Sequence, residues 1–146
     1  MKILVTGATG FVGRALIANL LSKGCEVNAL VRQPSSELPL SVKQVGVGDL
    51  AELALDNSSS FLREEFSGVD VVVHAAARVH VMNDYGSNPL TEFRKTNRDA
   101  TIILARLAAE SGIKRFVFLS SIKVNGEMTR PNHPFTPDDV YMPDDP

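Results

Sequence analysis

The amino-acid sequence predicts an α/β protein built around a parallel sheet, and three observations support this. Short apolar runs alternate with amphipathic stretches along the 146 residues. Several runs are apolar at consecutive positions, so both faces of each strand must be covered, as happens when helices flank a parallel sheet. A glycine-rich turn follows the first run directly. The expected order is strand, helix, strand, helix.

Five apolar runs have the length and composition of strands. They occupy residues 3–5, 27–31, 42–47, 69–73 and 116–119. The third run is the weakest, and Asp70 interrupts the fourth. Cys25, the only cysteine, stands just before the second run and is expected to be a small, half-buried residue. Alone it forms neither an internal disulfide nor a zinc site, and no metal site is expected.

Helical stretches lie between these runs. The first covers residues 11–23 and ends at Gly24, which accepts the left-handed conformation of a helix cap. A short helix is expected at 61–66, and a long one at 89–111 begins with a proline at its first position. Asn97 falls on the apolar face of the long helix. Because a buried amide must be hydrogen-bonded, Asn97 either caps a neighbouring strand or meets a ligand.

The charge pattern excludes several classes of function. Fifteen Lys and Arg balance 17 Asp and Glu along the whole chain, without the basic stripe of a nucleic-acid-binding surface. No uncharged stretch approaches the ~20 residues that cross a bilayer, and the apolar run after Lys2 is too short for a signal peptide. We expect a soluble, cytoplasmic protein with no nucleic-acid or membrane partner.

The segment at residues 6–13 has the sequence Thr-Gly-Ala-Thr-Gly-Phe-Val-Gly between the first strand and the first helix. Its first glycine permits a tight turn, the second lets a pyrophosphate approach the backbone, and the third lets helix and strand pack closely. The helix N-terminus adds free N–H groups for phosphates. The segment therefore predicts a Rossmann-like fold that binds a dinucleotide. Its cofactor-binding residues are predicted to be Gly7, Thr9, Gly10, Phe11, Val12 and Gly13.

The second glycine follows the first by three positions instead of two, and this spacing resembles the short-chain dehydrogenase/reductase superfamily. Asp49 and Leu50, after the third strand, resemble the pair that contacts adenine in that family. Residues 74–77 resemble its segment beside the cofactor. The resemblance assigns cofactor contacts to Ala75, Ala76 and Ala77 of that segment. These matches come in the family's order.

Two further matches involve single polar residues. Asn97 corresponds to the family's mid-helix asparagine and is assigned to the cofactor site. Ser120 and Ser121 end the fifth strand, where the family places its catalytic serine, which the resemblance assigns to Ser121. Each match also has a structural alternative. Asn97 could cap a neighbouring strand, and serines at the end of a strand can hydrogen-bond the backbone in any fold.

Asp49 and His74 have structural alternatives too. Asp49 and Glu52 are spaced as a capping box for the next helix, whether or not the aspartate also meets adenine. His74 ends a buried strand, where a hydrogen-bonded core histidine is a more common role than a catalytic base.

Residues 77–81 and 120–127 resemble the extended branch of the superfamily, which contains nucleotide-sugar 4-epimerases, dehydratases and 4-keto reductases. The resemblance is greatest to bacterial enzymes of surface-polysaccharide synthesis that act on UDP-N-acetylhexosamines. It implies hydride transfer at C4 of a UDP-sugar and a homodimeric full-length protein. Val79 stands where related 4-epimerases often have a lysine, which favours a reductase over an epimerase. The sugar itself is not determined by this sequence.

The second strand bears on the form of the cofactor. NAD-selective sites normally have an acidic residue at its end, which bonds the ribose hydroxyls. This chain has Arg32 there, and Arg14 lies near in sequence. Without a carboxylate to repel a 2'-phosphate, the sequence favours NADP over NAD. NAD stays open, because arginine can also stack on adenine and the family includes NAD users without the acid.

In the family, a tyrosine moves the proton and a lysine four residues later lowers the pKa of that tyrosine. Tyr85 precedes the fifth strand, and Asp145 stands four residues after Tyr141, so neither tyrosine fits. The resemblance places the Tyr-x-x-x-Lys segment just beyond Pro146. We expect residues 1–146 to be the N-terminal NAD(P)-binding domain of a longer enzyme, inactive without its C-terminal substrate domain and with an incomplete sheet. The alternative is a non-catalytic, redox-sensing module.

Overall fold

A computed structural model describes residues 1–54, 59–79 and 88–143 of the chain. Its centre is a five-stranded sheet in which every neighbouring pair is parallel. The strands are β1 (Lys2–Thr6), β2 (Glu26–Val31), β3 (Lys43–Gly46), β4 (Val71–His74) and β5 (Arg115–Phe118). Their order across the sheet is β3-β2-β1-β4-β5. The predicted fold class, a Rossmann-like parallel sheet flanked by helices, is confirmed.

Helices connect the strands and cover the sheet. They are α1 (Phe11–Ser22), α2 (Ser59–Phe66), α3 (Pro89–Phe93) and α4 (Ala100–Glu110), with 3-10 turns at Leu50–Ala54 and Ile122–Asn125. None of the helices in the described ranges is long and apolar enough to cross a membrane.

The prediction of one continuous α-helix over residues 89–111 is wrong in its middle. A π-helical segment, Arg94–Asp99, separates α3 from α4. Within it, the carbonyl of Asn97 accepts a hydrogen bond from the Thr101 hydroxyl at 2.8 Å.

The strands bury consecutive residues because each face of the sheet has its own core. Leu4 and Leu30 pack on one face in a cluster that includes residues of α2 and α4. Val5 and Val27 pack on the other face with Ile17 of α1. This two-sided burial explains the continuous apolar runs in the sequence.

The order of the strands reverses at β1. From β1 the chain continues to β2 on one side, and it later returns to β4 on the other. In an open parallel sheet, such a reversal leaves a crevice at the carboxyl ends of the two strands, where ligands bind. Here that crevice lies beyond Thr6 and His74, which are neighbours in the β1–β4 register.

Candidate functional site

The turn after β1 is built so closely that its first glycine cannot be replaced. Gly7 has a φ of +70°, and its carbonyl accepts the Gly10 N–H at 3.0 Å. A Cβ at Gly7 would lie 2.6 Å from the backbone carbon of Ala75. Both the left-handed backbone and the contact with the segment after β4 therefore require glycine.

Gly13 brings α1 against the same turn. A Cβ at Gly13 would lie 2.0 Å from the carbonyl oxygen of Gly7, a contact that no side chain could make. Gly10 caps α1, no side chain hydrogen-bonds to the helix start, and the first turn carries no acidic residue. The N–H groups at the start of α1 are therefore available to an anion at the positive end of the helix dipole.

A groove of about 470 Å³ opens at this turn. It contains nearly all of the residues that the sequence assigned to the cofactor. These are Gly7, Thr9, Gly10, Phe11, Val12, Gly13, Arg32, Asp49, Leu50, Ala75, Ala76 and Ala77. Phe11 is 89% exposed, unusually so for its size. Asn97 and Ser121 are not part of the lining, and the assignment of all these residues to a cofactor stays a prediction.

The far end of the groove carries charge. Arg32 Nη2 lies 3.8 Å from Asp49 Oδ2, so the arginine expected to meet a 2'-phosphate is paired with a carboxylate. Arg14 is similarly paired with Glu37 at 3.0 Å. Asp49 also accepts the N–H of Ala51 at 2.9 Å. Asp49 thus caps the 3-10 turn that follows it through Ala51, whereas the predicted capping box has Glu52 as the partner.

Asn97 holds the backbone after β4. Its Oδ1 accepts the Arg78 N–H at 2.7 Å, and its Nδ2 donates to the Arg78 carbonyl at 3.0 Å. Of the two roles that the sequence left open, this contact resembles the cap on a neighbouring strand. Asn97 therefore holds the backbone that directly follows residues 75–77 of the groove lining.

Ser121 lies three residues after the end of β5 and is exposed. Its Oγ accepts the Lys123 N–H at 3.2 Å and caps the following 3-10 turn. Tyr141 is 71% exposed. Tyr85 and Asp145 fall outside the described residues. The catalytic role of Ser121 stays a prediction.

His74 is a core histidine, as the sequence favoured. It is fully buried, and both ring nitrogens have hydroxyl partners. Burial lowers the pKa of its imidazole to about 4 from 6.5, so the ring is neutral at neutral pH.

Sequence reasoning missed several residues that line the groove. They are Ala8, Leu30, Val31, Val47 and Gly48, whereas Val79, which also lines the groove, is the position where the resemblance places a lysine near the cofactor. The Val47 N–H donates to the Val31 carbonyl at 2.9 Å, and Gly48 donates to Arg32. These bonds extend the β2–β3 pairing to the edge of the groove. The glycine just before Asp49 was the one available signal in the sequence.

A second, larger groove of about 620 Å³ lies along the helical segment from α3 to α4. Its lining contains none of the predicted site residues. It is formed by Thr91, Arg94, Lys95, Arg98, Asp99, Ile102, Ile103 and Arg106. The smaller groove is the candidate site, because the glycine turn, the free helix start and the end of the sheet meet there.

Comparison with known proteins agrees with this geometry. A UDP-glucose 4-epimerase of Vibrio cholerae is 42% identical over 145 residues, which is 99% of this chain and 42% of that protein. The chain thus spans less than half the length of this relative. A short-chain dehydrogenase/reductase superfamily protein from Agrobacterium tumefaciens, solved with bound NAD, superposes with a TM-score of 0.78 at 30% identity. That match covers 99% of this chain and 40% of the other.

A second solved structure is that of MoeE5 in complex with UDP-glucose and NAD. It gives a TM-score of 0.76 at 29% identity and covers 98% of this chain and 43% of that one. The model of the NAD dependent epimerase/dehydratase family matches residues 3–146, nearly the whole sequence. The chain therefore belongs to the NAD-dependent epimerase/dehydratase family.

Proposed function

We propose that this chain is the cofactor-binding, N-terminal part of an enzyme that transfers a hydride at C4 of a UDP-sugar. The observation that carries the proposal is the glycine cradle, which is the backbone turn at residues 7–13 and the start of α1 that packs against it. Gly13 approaches the Gly7 carbonyl more closely than any side chain would permit, and the start of α1, which no side chain caps, is open to a pyrophosphate. The similarity to a UDP-glucose 4-epimerase and to a protein holding UDP-glucose and NAD supports the substrate class.

The residues of the groove have separate roles in this proposal. The backbone from Gly7 to Gly13 binds the pyrophosphate, and Asp49 with Leu50 contacts the adenosine. The backbone of residues 75–77 forms the wall beside the nicotinamide end. When bound, the nicotinamide supplies or accepts the hydride. The groove binds and orients the cofactor, and Ser121 hydrogen-bonds the reacting oxygen of the sugar.

We take NAD to be the cofactor. The solved relatives described above hold NAD, and Asp49 lies against Arg32, the arginine that would have to bind a 2'-phosphate. The expectation of an NADP preference gains no support from those relatives. Calorimetric titration with NAD and NADP tests the choice. Tighter binding of NADP that is lost in Arg32→Ala would overturn it and restore the expectation from the sequence.

The remaining catalytic groups are proposed to lie in further polypeptide. The chain covers 42% of its epimerase relative, and no Tyr-x-x-x-Lys occurs in its sequence. The coding region after Pro146 tests this directly. A Tyr-x-x-x-Lys within the next few codons supports the enzyme, whereas a stop codon there supports the alternative, a dinucleotide-binding module without catalysis.

The sugar is tested with the full-length protein and a panel of UDP-hexoses and UDP-N-acetylhexosamines. We propose a UDP-N-acetylhexosamine as substrate, with a role in surface-polysaccharide synthesis, and a homodimeric enzyme. Turnover of UDP-glucose alone would overturn the N-acetyl assignment and keep the reaction class. Epimer formation without net cofactor oxidation distinguishes an epimerase from a reductase. The 146-residue chain alone is expected to turn over neither sugar.

A further inference from the structure

His74 links three elements beneath the groove. Its Nδ1 lies 2.6 Å from the hydroxyl oxygen of Thr6 at the end of β1. Its Nε2 lies 2.8 Å from the hydroxyl oxygen of Thr101 in α4. The ring of Phe118 stacks on the imidazole at 5.7 Å between centroids and an angle of 25°. The imidazole is held in a single orientation, because both of its nitrogens and one face have partners.

The hydrogen bonds around His74 are consistent with a single arrangement of donors and acceptors. The Thr101 hydroxyl donates its only proton to the carbonyl of Asn97 at 2.8 Å. Towards His74 it can then only accept, so Nε2 carries the ring proton. A neutral imidazole has one such proton, which makes Nδ1 an acceptor of the Thr6 hydroxyl. Thr6 is left with lone pairs, and it accepts the Ala76 N–H at 3.2 Å.

This order of donors matters at the groove wall. Thr6 immediately precedes Gly7, and Ala76 lines the groove opposite the glycine turn. A Cβ at Gly7 would already touch Ala75, so the two backbone walls are in contact. One hydroxyl therefore joins the end of β1 to the segment after β4, and the imidazole determines where that hydroxyl points.

We propose that His74 is a positioning residue. As the neutral imidazole protonated at Nε2, it aims the Thr6 hydroxyl. That hydroxyl then holds the Ala76 N–H and sets the spacing of the two backbone walls. The proposal rests on the dinucleotide site proposed above. Burial favours the neutral form of the His74 imidazole, because it lowers the pKa of that ring. Thr6, Thr101, Phe116 and Phe118, which contact the ring, carry no charge.

The first test reads the tautomer without any cofactor. In a long-range proton–nitrogen correlation spectrum of nitrogen-15-labelled protein at neutral pH, His74 Nε2 should resonate as a protonated nitrogen and Nδ1 as an unprotonated one. The His74→Asn variant identifies the signals by their loss. Thr101→Val removes the acceptor that fixes Nε2–H, and it should introduce the Nδ1–H form. A cationic ring, or an Nδ1–H tautomer in the unmodified chain, would overturn the proposal.

The second test measures NAD affinity by calorimetry. Thr6→Val removes the hydroxyl that the part-buried Ala76 N–H donates to, and we expect binding to weaken about tenfold because the two walls are no longer joined. Thr6→Ser keeps the hydroxyl and should restore most of the affinity. Thr129→Val is the matched control, because Thr129 is exposed and does not line the groove.

The two tests separate the two proposals. If the unmodified chain binds no NAD, the proposed function fails, while the tautomer still decides the role of His74. If the unmodified chain and Thr6→Val bind NAD equally well, the positioning role fails and the proposed function stands. Should Thr6→Val not fold, the tautomer in the unmodified chain and in Thr101→Val carries the decision.

Discussion

Strands β1 and β5 belong to the same parallel sheet but are covered very differently. Four of the five residues of β1 are buried, with helices on both faces. In β5 only Phe116 is even partly buried, and Phe118 is 49% exposed. The groove lies at the carboxyl ends of the covered strands, whereas Ser121 follows the exposed strand β5. The strands at the groove thus have a core on both faces, while the predicted catalytic serine follows a strand that is largely exposed among the described residues.

This contrast separates the contacts that form the groove from those around Ser121. The glycine cradle depends on backbone contacts within β1, α1 and the segment after β4, all of which are present. Ser121 is exposed and follows a strand in which only Phe116 is partly buried. The predictions that follow run from the largest expected effect to the smallest. They compare substitutions at the groove and in the buried core with matched changes elsewhere.

Gly13→Ala should have the largest effect, because its Cβ would lie 2.0 Å from the Gly7 carbonyl oxygen. The backbone of the cradle must move, and we expect NAD affinity to fall more than about a hundredfold, with a loss of stability of ~3 kcal/mol or more. Gly46→Ala is the control, since its Cβ would meet only Pro34 Cδ at 3.6 Å. Calorimetry and thermal unfolding measure both. Unchanged NAD binding by Gly13→Ala would disprove the cradle.

A pair of phenylalanines measures the difference in cover directly. Phe66 of α2 is fully buried in the core, whereas Phe118 of β5 is half exposed. Phe66→Ala should reduce the free energy of unfolding by ~3–5 kcal/mol, and Phe118→Ala by about 1 kcal/mol. Denaturant unfolding gives both values. Equal losses would mean that β5 is as well packed as the covered strands.

The pH dependence of stability tests the buried imidazole. The pKa of His74 is about 4 in the folded chain and 6.5 as the ordinary value. Between these values the unfolded chain binds more protons, so stability falls as the pH drops from 6.5 to 4, by up to ~3 kcal/mol. His74→Asn should flatten this dependence in denaturant unfolding at several pH values. An equally steep fall in that variant would assign it to other groups.

The smallest effect expected is a gain. Asn28 of β2 is 1% exposed, and its side-chain nitrogen and oxygen have no hydrogen-bond partner among the described residues. Removing unpaired buried polar atoms relieves a desolvation cost, so Asn28→Val should raise the free energy of unfolding by about 1 kcal/mol. Ala29→Val is the comparison on the opposite face, where added volume should destabilise the packed core. A loss of stability in Asn28→Val would indicate that its amide is satisfied.

Much of the fold could be predicted from the sequence, because its signals are local. Consecutive apolar residues require cover on both faces, and the spacing of Gly7, Gly10 and Gly13 reflects contacts within one turn and one helix. The groove residues after β1 followed from the glycine turn, whereas those after β3 and β4 were assigned by resemblance to the short-chain dehydrogenase/reductase superfamily.

The rest depends on pairings between distant segments. Val47 reaches the groove only because its N–H bonds the Val31 carbonyl. The π segment was not predicted, because apolar spacing carries no signal for the polar contacts that Asn97 makes there with Arg78 and Thr101. The contact with Arg78 joins residues 19 apart in the sequence, which no short window contains.

The π segment also determines the phase of the helix that follows it. A turn with one additional residue sets every later side chain back by ~100° relative to an uninterrupted α-helix. Leu104 and Leu107 are buried beyond the turn, while Leu90 before it is 38% exposed. Deleting a single residue from Arg94–Asp99 would rotate α4 about its own axis and turn its apolar stripe away from β4. Insertions and deletions should therefore be tolerated far less here than point substitutions.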